Sequence, residues 1–404
     1  MDTPACMRYV VAARHLLSSL IVFAAVPATA QIDFFVPNAT IEAAPPAVIT
    51  AFAEDGRTLF IDSSGQPTQV YARRGPLRWD LEATLDPPPA PYGFSSMVDV
   101  DGDLAVGRAA YEGPVNQPPN GAVVVYQRVN RTWQLTHVLT APEEHAVGFG
   151  TTVDVEGNTI AISSYTGGGA VFIYRRTASG DVVLQQEIDT EAFEQRATLD
   201  HETLLISAPD TRFPDAPYRV EVYKLTDAGA VAMQTLLPDD PVRQETFGDS
   251  LSISGDVAVI GAPFSERREG CGFMSGRFGA GNAFVFERDG NDVWHKVAVL
   301  SNPACGWFFG ETLATDGKRI LSTANYIDDL LGQHADARSY LFERRRGVWT
   351  LQGALMASTC SNGFGLNLAL RKQTLIAGTG GGGALHEFRM NHLIAVPPRN
   401  CNPP

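Results

Sequence analysis

Beyond the first thirty residues, histidines stand at 137, 145, 201, 295, 334, 386 and 392, and none falls in a pattern that activates a nucleophile or gathers a metal. His334 shares a stretch with Asp328 and Asp329, which makes it the one histidine placed beside carboxylates. No His-Glu-x-x-His, Gly-x-Ser-x-Gly, Gly-x-x-x-x-Gly-Lys or spaced Cys/His set occurs. The runs Gly167-Gly168-Gly169 and Gly380 to Gly383 open no helix and read as turns, not phosphate cradles. Catalytic residues, cofactors and metals are therefore not expected. What remains is the chemistry of recognition: Arg267, Arg268, Phe273 and Arg277 in one segment, Tyr326, Asp328, Asp329 and His334 in another, with Tyr111 and Arg212 in two more. Mixed aromatic, Arg and acidic groups are what binding surfaces use.

The elements that carry those segments come from an internal repeat. In PYGFSSMVDVDGDLAVG (91–107), VGFGTTVDVEGNTIAIS (147–163), ETFGDSLSISGDVAVIG (245–261) and WFFGETLATDGKRILST (307–323), an aromatic precedes a turn glycine by eight residues. The same frame accepts Phe364, Phe193 and, more loosely, Val48, giving seven units about 53 residues apart. Between aromatic and turn the apolar residues alternate, the period of a strand. The Asp101-Gly102, Glu156-Gly157 and Ser254-Gly255 pairs suit two-residue type I′ hairpin loops.

A second hairpin follows in each unit. Tyr71, Tyr126, Phe286 and Phe342 precede Trp79, Trp133, Trp294 and Trp349 by seven or eight residues, so four of the five tryptophans share one slot. They are expected to be packing between units, not ligand platforms. Four antiparallel strands repeated seven times have faces to cover and edges to protect, and radial stacking around an axis does both. The expected fold is all-β, a seven-bladed β-propeller of four-stranded antiparallel blades over residues 48–397. Residues 31–47 are a candidate for completing the last blade, and 398–404 a tail.

Arg8 and Arg14, an apolar run from Leu16 to Val26 and the small residues Pro27-Ala28-Thr29-Ala30 have the order of a signal peptide over residues 1–30. The run is too short to span a bilayer and no second one follows, so the expectation is a secreted, periplasmic or cell-surface chain without a membrane span. A formal net charge of −14 disfavours nucleic acid, which needs a basic footprint.

Phe149-Gly150, Phe247-Gly248, Phe309-Gly310 and Phe364-Gly365, with Gly261-Ala262-Pro263 after a second strand, resemble the FG-GAP repeat of integrin α-subunit propellers and many secreted bacterial proteins. The resemblance implies a propeller that binds other molecules, and in many members a calcium loop between the first two strands. Here the acidic run Asp99-Val100-Asp101-Gly102-Asp103 falls at a two-residue turn, which leaves no loop to wrap a cation, so no metal is expected.

Cys271, Cys305, Cys360 and Cys401 form an even set in a chain expected to be exported. Three pairings are possible. Cys305 and Cys360 lie in equivalent loops four residues before Phe309 and Phe364, and the repeat frame favours Cys271 with Cys305 and Cys360 with Cys401.

The connections between second and third strands are long, 108–120, 210–217, 264–281 and 325–338, and a meander puts them all on one face. The expected function is a non-catalytic binding or adhesion module presenting that face to a protein or glycan. The alternatives are a hydrolase or lyase acting on extracellular polysaccharide, and a structural part of a surface assembly.

Overall fold

The computed structural model describes residues 33–42, 49–63, 66–111, 121–141, 148–164, 169–190, 195–207, 218–239, 246–265, 280–303, 307–325, 327–328, 333–334, 337–357, 364–371, 373–379 and 384–396. It is an all-β propeller of seven four-stranded antiparallel blades. Blade one is Ile49–Glu54, Thr58–Ser63, Gln66–Gly75 and Arg78–Thr84; blade two is Tyr92–Asp101, Leu104–Tyr111, Ala122–Val129 and Thr132–Thr140. Blade three is Val153–Glu156, Thr159–Ser164, Ala170–Arg176 and Val182–Asp189; blade four is Ala197–Asp200, Thr203–Ser207, Val220–Thr226 and Gly229–Leu236. Blade five is Ser250–Ser254, Val257–Ala262, Asn282–Arg288 and Trp294–Ser301; blade six is Trp307–Thr315, Arg319–Asn325, Arg338–Arg345 and Val348–Leu355. Blade seven takes Phe364–Arg371, Thr374–Thr379 and Ala384–Arg389 from its own repeat and its fourth strand, Ala39–Glu42, from the N-terminal side.

The first strands touch one another in order from blade one to blade seven and back to blade one, so they line the axis of a closed ring. Closure is reinforced outside it. Phe34–Val36 adds in parallel to the outer strand of blade six, and Ile394–Val396 pairs antiparallel with Phe34–Val36.

The second strands Thr159–Ser164 and Val257–Ala262 are buried along their whole length, because a neighbouring blade covers each face. The signature phenylalanines fill the seams. Phe247 meets Phe284 edge-on at 5.2 Å, and Phe149 meets Phe172 in the same way at 5.4 Å. The glycine after each phenylalanine presses on the preceding blade: a Cβ on Gly310 would lie 2.4 Å from the Asn282 carbonyl oxygen, and at φ +92° no other residue would sit comfortably.

The four tryptophans of the shared slot lie at blade seams, as expected of packing residues, with Trp133, Trp294 and Trp349 buried and Trp79 half-buried. Each follows an Arg that lies two residues beyond the strand-three aromatic, a pattern the repeat frame did not single out. Arg73, Arg128 and Arg288 lie over the rings of Trp79, Trp133 and Trp294 at 4.9, 5.9 and 5.5 Å. At two seams a glutamate from the preceding blade completes a triad: Glu387 accepts from Trp79 Nε1 at 3.0 Å and from Arg73, and Glu287 accepts from Trp349 Nε1 at 3.2 Å and from Arg344 at 2.6 Å.

The first hairpin corrects the turn assignment by one residue. Asp101, Glu156, Asp200 and Ser254 are paired in the ladder, and the loops are Gly102-Asp103, Gly157-Asn158, His201-Glu202 and Gly255-Asp256. Only the first loop residue has positive φ, the type II′ arrangement and not type I′. One residue with φ > 0 is all such a turn needs, glycine in three of these loops and His201 in the fourth. Type I′ geometry occurs instead in second hairpins, at Asn130-Arg131 and Arg346-Gly347.

Candidate functional site on the axis and loop face

That shift of one residue decides what the acidic run does. Asp99 and Asp101 belong to the first strand of blade two, the innermost edge of its sheet, where ladder pairing leaves alternate N–H groups facing the axis. Each carboxylate reaches to the next blade. Asp99 accepts from Val155 N–H at 2.9 Å and Asp101 from Gly157 N–H at 2.7 Å. The rule recurs around the ring: Asp55 accepts from Gly102 N–H at 3.1 Å, Asp154 from Leu199 N–H at 2.8 Å, and Asp200 from Gly255 N–H at 2.6 Å. Neutral groups do the same work elsewhere, Thr152 Oγ1 accepting from Ala197 N–H and Ser252 Oγ from Thr315 N–H, each at 3.0 Å. The acids of the first hairpin are thus caps for a neighbour's exposed sheet edge.

Their density makes the axis acidic at the hairpin end. Asp55, Asp101, Glu156 and Asp200 occupy equivalent positions in blades one to four, and Arg371 takes the same position in blade seven. The positive charge of Arg371 bears on both Asp99 and Glu156. Burial first, and then the facing Asp154 carboxyl, push Asp99 well above the usual carboxylate range. At the rim, His201 is raised by its hydrogen-bonded contact with Asp200, 3.1 Å away. Glu156, Asp200 and His201 bring ligand-type atoms within 4.8 Å of one another. One Asp200 oxygen already holds Gly255 N–H, and the group reads as part of the edge-capping system.

The opposite end of the channel opens on the face of the long connections. A cavity of about 350 Å³ lies there, walled by three consecutive residues from each of four blades: Thr152 to Asp154, Arg196 to Thr198, Asp249 to Leu251 and Glu311 to Leu313. The size falls in the range of small-molecule sites. Arg196 pairs with Asp249 at 3.2 Å. Burial first, and then the charge of Asp249, raise Glu311 above its usual range, with Arg196 opposing. Outside the lining, just past the second strand of blade five, Phe264 stands 43% exposed with its ring edge-on to Phe308 at 5.0 Å. Phe308 shares a strand with Glu311. Phe264 N–H donates to Thr246 Oγ1 at 3.3 Å, and the Thr246 carbonyl accepts from Asp249 N–H at 2.9 Å.

Of the residues singled out in the sequence, Tyr111 ends the second strand of blade two, half-buried against Tyr92 at a ring distance of 6.0 Å. Asp328 and His334 sit in a two-rung ladder in the second-to-third strand connection of blade six, opposite Gln333 and Ile327. Arg212, Arg267, Arg268, Phe273, Arg277, Tyr326 and Asp329 lie outside the described residues, as do Cys271, Cys305, Cys360 and Cys401. Sequence reasoning missed the cavity because Arg196, Asp249 and Glu311 belong to three repeats and meet only when the ring closes. One signal was present: all three follow the signature aromatic by two or three residues.

The GAP glycine completes the seam geometry, since a Cβ on Gly261 would lie 2.0 Å from the Gly310 carbonyl oxygen of the next blade. Residues 231–286 match the family model of the FG-GAP repeat. The FG-GAP match runs from the outer strand of blade four through the third strand of blade five, across the seam just described. No curated protein matches the chain. Among solved structures, the WD40 beta propeller domain of Doa1 overlaps at TM-score 0.49 and 10% identity, covering 87% of this chain and 95% of that one. Saccharomyces cerevisiae Sqt1 overlaps at TM-score 0.46 and 11% identity, covering 88% and 98%. BamB from Moraxella catarrhalis overlaps at 0.44 and 11%, covering 85% of each.

Proposed function

We propose that the chain is an exported, non-catalytic binding module whose loop face captures a protein or glycan. The FG-GAP match and the propeller scaffold support a binding role in general. The observation that favours the loop face is exposed Phe264, edge-on to half-buried Phe308 on the strand that also carries Glu311 of the cavity wall. An aromatic held out of the core on a rigid ring, next to charged groups, is the composition of an interface anchor. The four candidate residues of the 264–281 connection and Tyr326 of the 325–338 connection lie in sequence between strands whose described ends are on this face.

The test is capture of binding partners from native extract and on a glycan array by the full chain, with Phe264→Ala, Phe273→Ala and Arg277→Ala beside it. Capture lost without change in melting temperature supports the face assignment; capture unchanged in all three variants refutes it.

A second reading, a hydrolase or lyase acting on extracellular polysaccharide, draws on the Asp99–Asp154 pair, because Asp154 lies in the cavity wall and Asp99 beside it is raised above the usual carboxylate range, as a general acid needs to be. It requires turnover of a polysaccharide that Asp154→Asn abolishes. A screen of polysaccharides without turnover removes it.

A further inference from the structure

We infer that the axial cavity on the loop face is a saccharide site, taking one or two hydroxyl-rich sugar units with exposed Phe264 as a platform. This rests on the reading of the loop face as the binding face and names the ligand class within it.

The lining carries the argument. Arg196, Asp249 and Glu311 come from three consecutive blades and converge on one cavity, with the Thr198, Ser250 and Thr312 hydroxyls between them. A fixed guanidinium beside two carboxyls offers donors and acceptors side by side, which vicinal hydroxyls satisfy in pairs. Thr198 Oγ1 already donates to Asp154 and Ser250 Oγ to the Gly310 carbonyl, so these hydroxyls offer a ligand acceptor lone pairs. A cationic ligand fits less well, because Arg196 stands in the wall and is itself paired with Asp249. An anion fits less well for the opposite reason, since Asp249, Glu311 and Asp154 outnumber the one arginine of the lining. A neutral polyhydroxylated ring disturbs none of these charges. Its apolar C–H face would meet the exposed Phe264 ring, which its edge-on contact with Phe308 keeps upright. The lining strands are tied to neighbouring blades by backbone-to-side-chain bonds such as Leu199 N–H donating to Asp154 at 2.8 Å, so the site is preformed.

The experiment titrates the full chain with cellobiose, maltose, lactose and diacetylchitobiose at millimolar concentration, followed by saturation-transfer NMR and calorimetry, with arginine amide as the cationic control. At least one disaccharide is expected to bind, with affinity reduced at least tenfold by Asp249→Asn and by Glu311→Gln. Thr312→Val, which removes a hydroxyl and no charge, is expected to weaken binding severalfold and guards against a charge variant that fails to fold. Binding of arginine amide in place of the sugars overturns the proposal, and so does no binding by any probe. Sugar binding indifferent to all three variants overturns it as well. The broader reading fails separately. If Phe264→Ala abolishes partner capture while the cavity variants leave it intact, the loop face stands and the saccharide site falls. If the cavity variants abolish disaccharide binding while partner capture ignores Phe264, Phe273 and Arg277, the reverse holds.

Discussion

Blades four and six solve the same problem at their outer seams in opposite ways. In both, a bulge interrupts the pairing of the third and fourth strands; the residue just after it faces the outer strand of blade five in one case and the N-terminal strand Phe34–Val36 in the other. In blade four that residue is Gln234. Its amide accepts from Trp294 N–H and donates to the Trp294 carbonyl of blade five, both at 2.8 Å. Gln186 treats Ala230 in the same way one seam earlier, accepting from its N–H at 2.7 Å. In blade six the position is Gly353, and a Cβ there would lie 2.5 Å from the Asp33 carbonyl oxygen and 2.4 Å from the Phe35 ring. The space a glutamine fills elsewhere is occupied here by the N-terminal strand on its way to blade seven. One seam is stapled by a side chain and the other by the chain itself, and the choice depends on whether a Cβ is present.

Gly353→Gln is therefore the substitution expected to matter most. It would push Phe34–Val36 off blade six and so withdraw Ala39–Glu42 from blade seven, at a cost on the order of 3–5 kcal/mol. Denaturant unfolding would show the loss, and limited proteolysis would show cleavage within 33–42 that the parent chain resists. A variant that unfolds like the parent would remove glycine from the account of closure.

The seam between blades seven and one rests instead on Glu387, which is fully buried and holds Arg73 and Trp79. Glu387→Ala leaves a mostly buried guanidinium and an indole N–H without their acceptor and is expected to cost about 3 kcal/mol. The exposed Arg78–Asp80 pair is the contrast, and Asp80→Ala should leave the melting temperature unchanged. Smaller again is Gln234→Ala, which strips two hydrogen bonds from Trp294 and is expected to cost about 1–2 kcal/mol. If Gln234→Ala were as damaging as Gly353→Gln, the two seams would not differ in kind.

How much of this was legible depends on sequence distance. Phe149-Gly150 and its equivalents set the blade frame because an aromatic and a turn glycine eight residues apart belong to one strand and one turn. The tryptophan slot was readable for the same reason, being local to one hairpin. The turn phase was misread by one residue because an Asp-Gly pair fits two turn types, and only pairing of Asp101 with Leu104 separates them. Closure was harder still: Ala39–Glu42 pairs with a strand some 345 residues away, and nothing local in ATIE names its partner. The cavity needed four blades in register before Arg196, Asp249 and Glu311 became neighbours.

The inner edge gives the mildest test of the same comparison, because there the filler changes charge and not bulk. Asp99 caps Val155 N–H as Gln234 caps Trp294, yet it faces Asp154, and burial and that neighbour raise its pKa. A carboxyl raised in the folded state binds its proton more tightly there than in the unfolded chain. Its contribution to stability is full below the ordinary Asp range and is lost as pH climbs through the folded value. Asp99→Asn keeps an acceptor for Val155 N–H, supplies a permanent donor to Asp154 and has no proton to lose. The variant should therefore melt a few degrees higher than the parent at neutral pH, and the gap should close as the pH is lowered well below the ordinary Asp value of about 3.9, where Asp99 is protonated in both states. Thermal melts across that range decide the matter. A gap that stays constant with pH would mean that the cap acts by shape alone, as Thr152 and Ser252 do, and that burial and Asp154 do not raise Asp99 in the folded state.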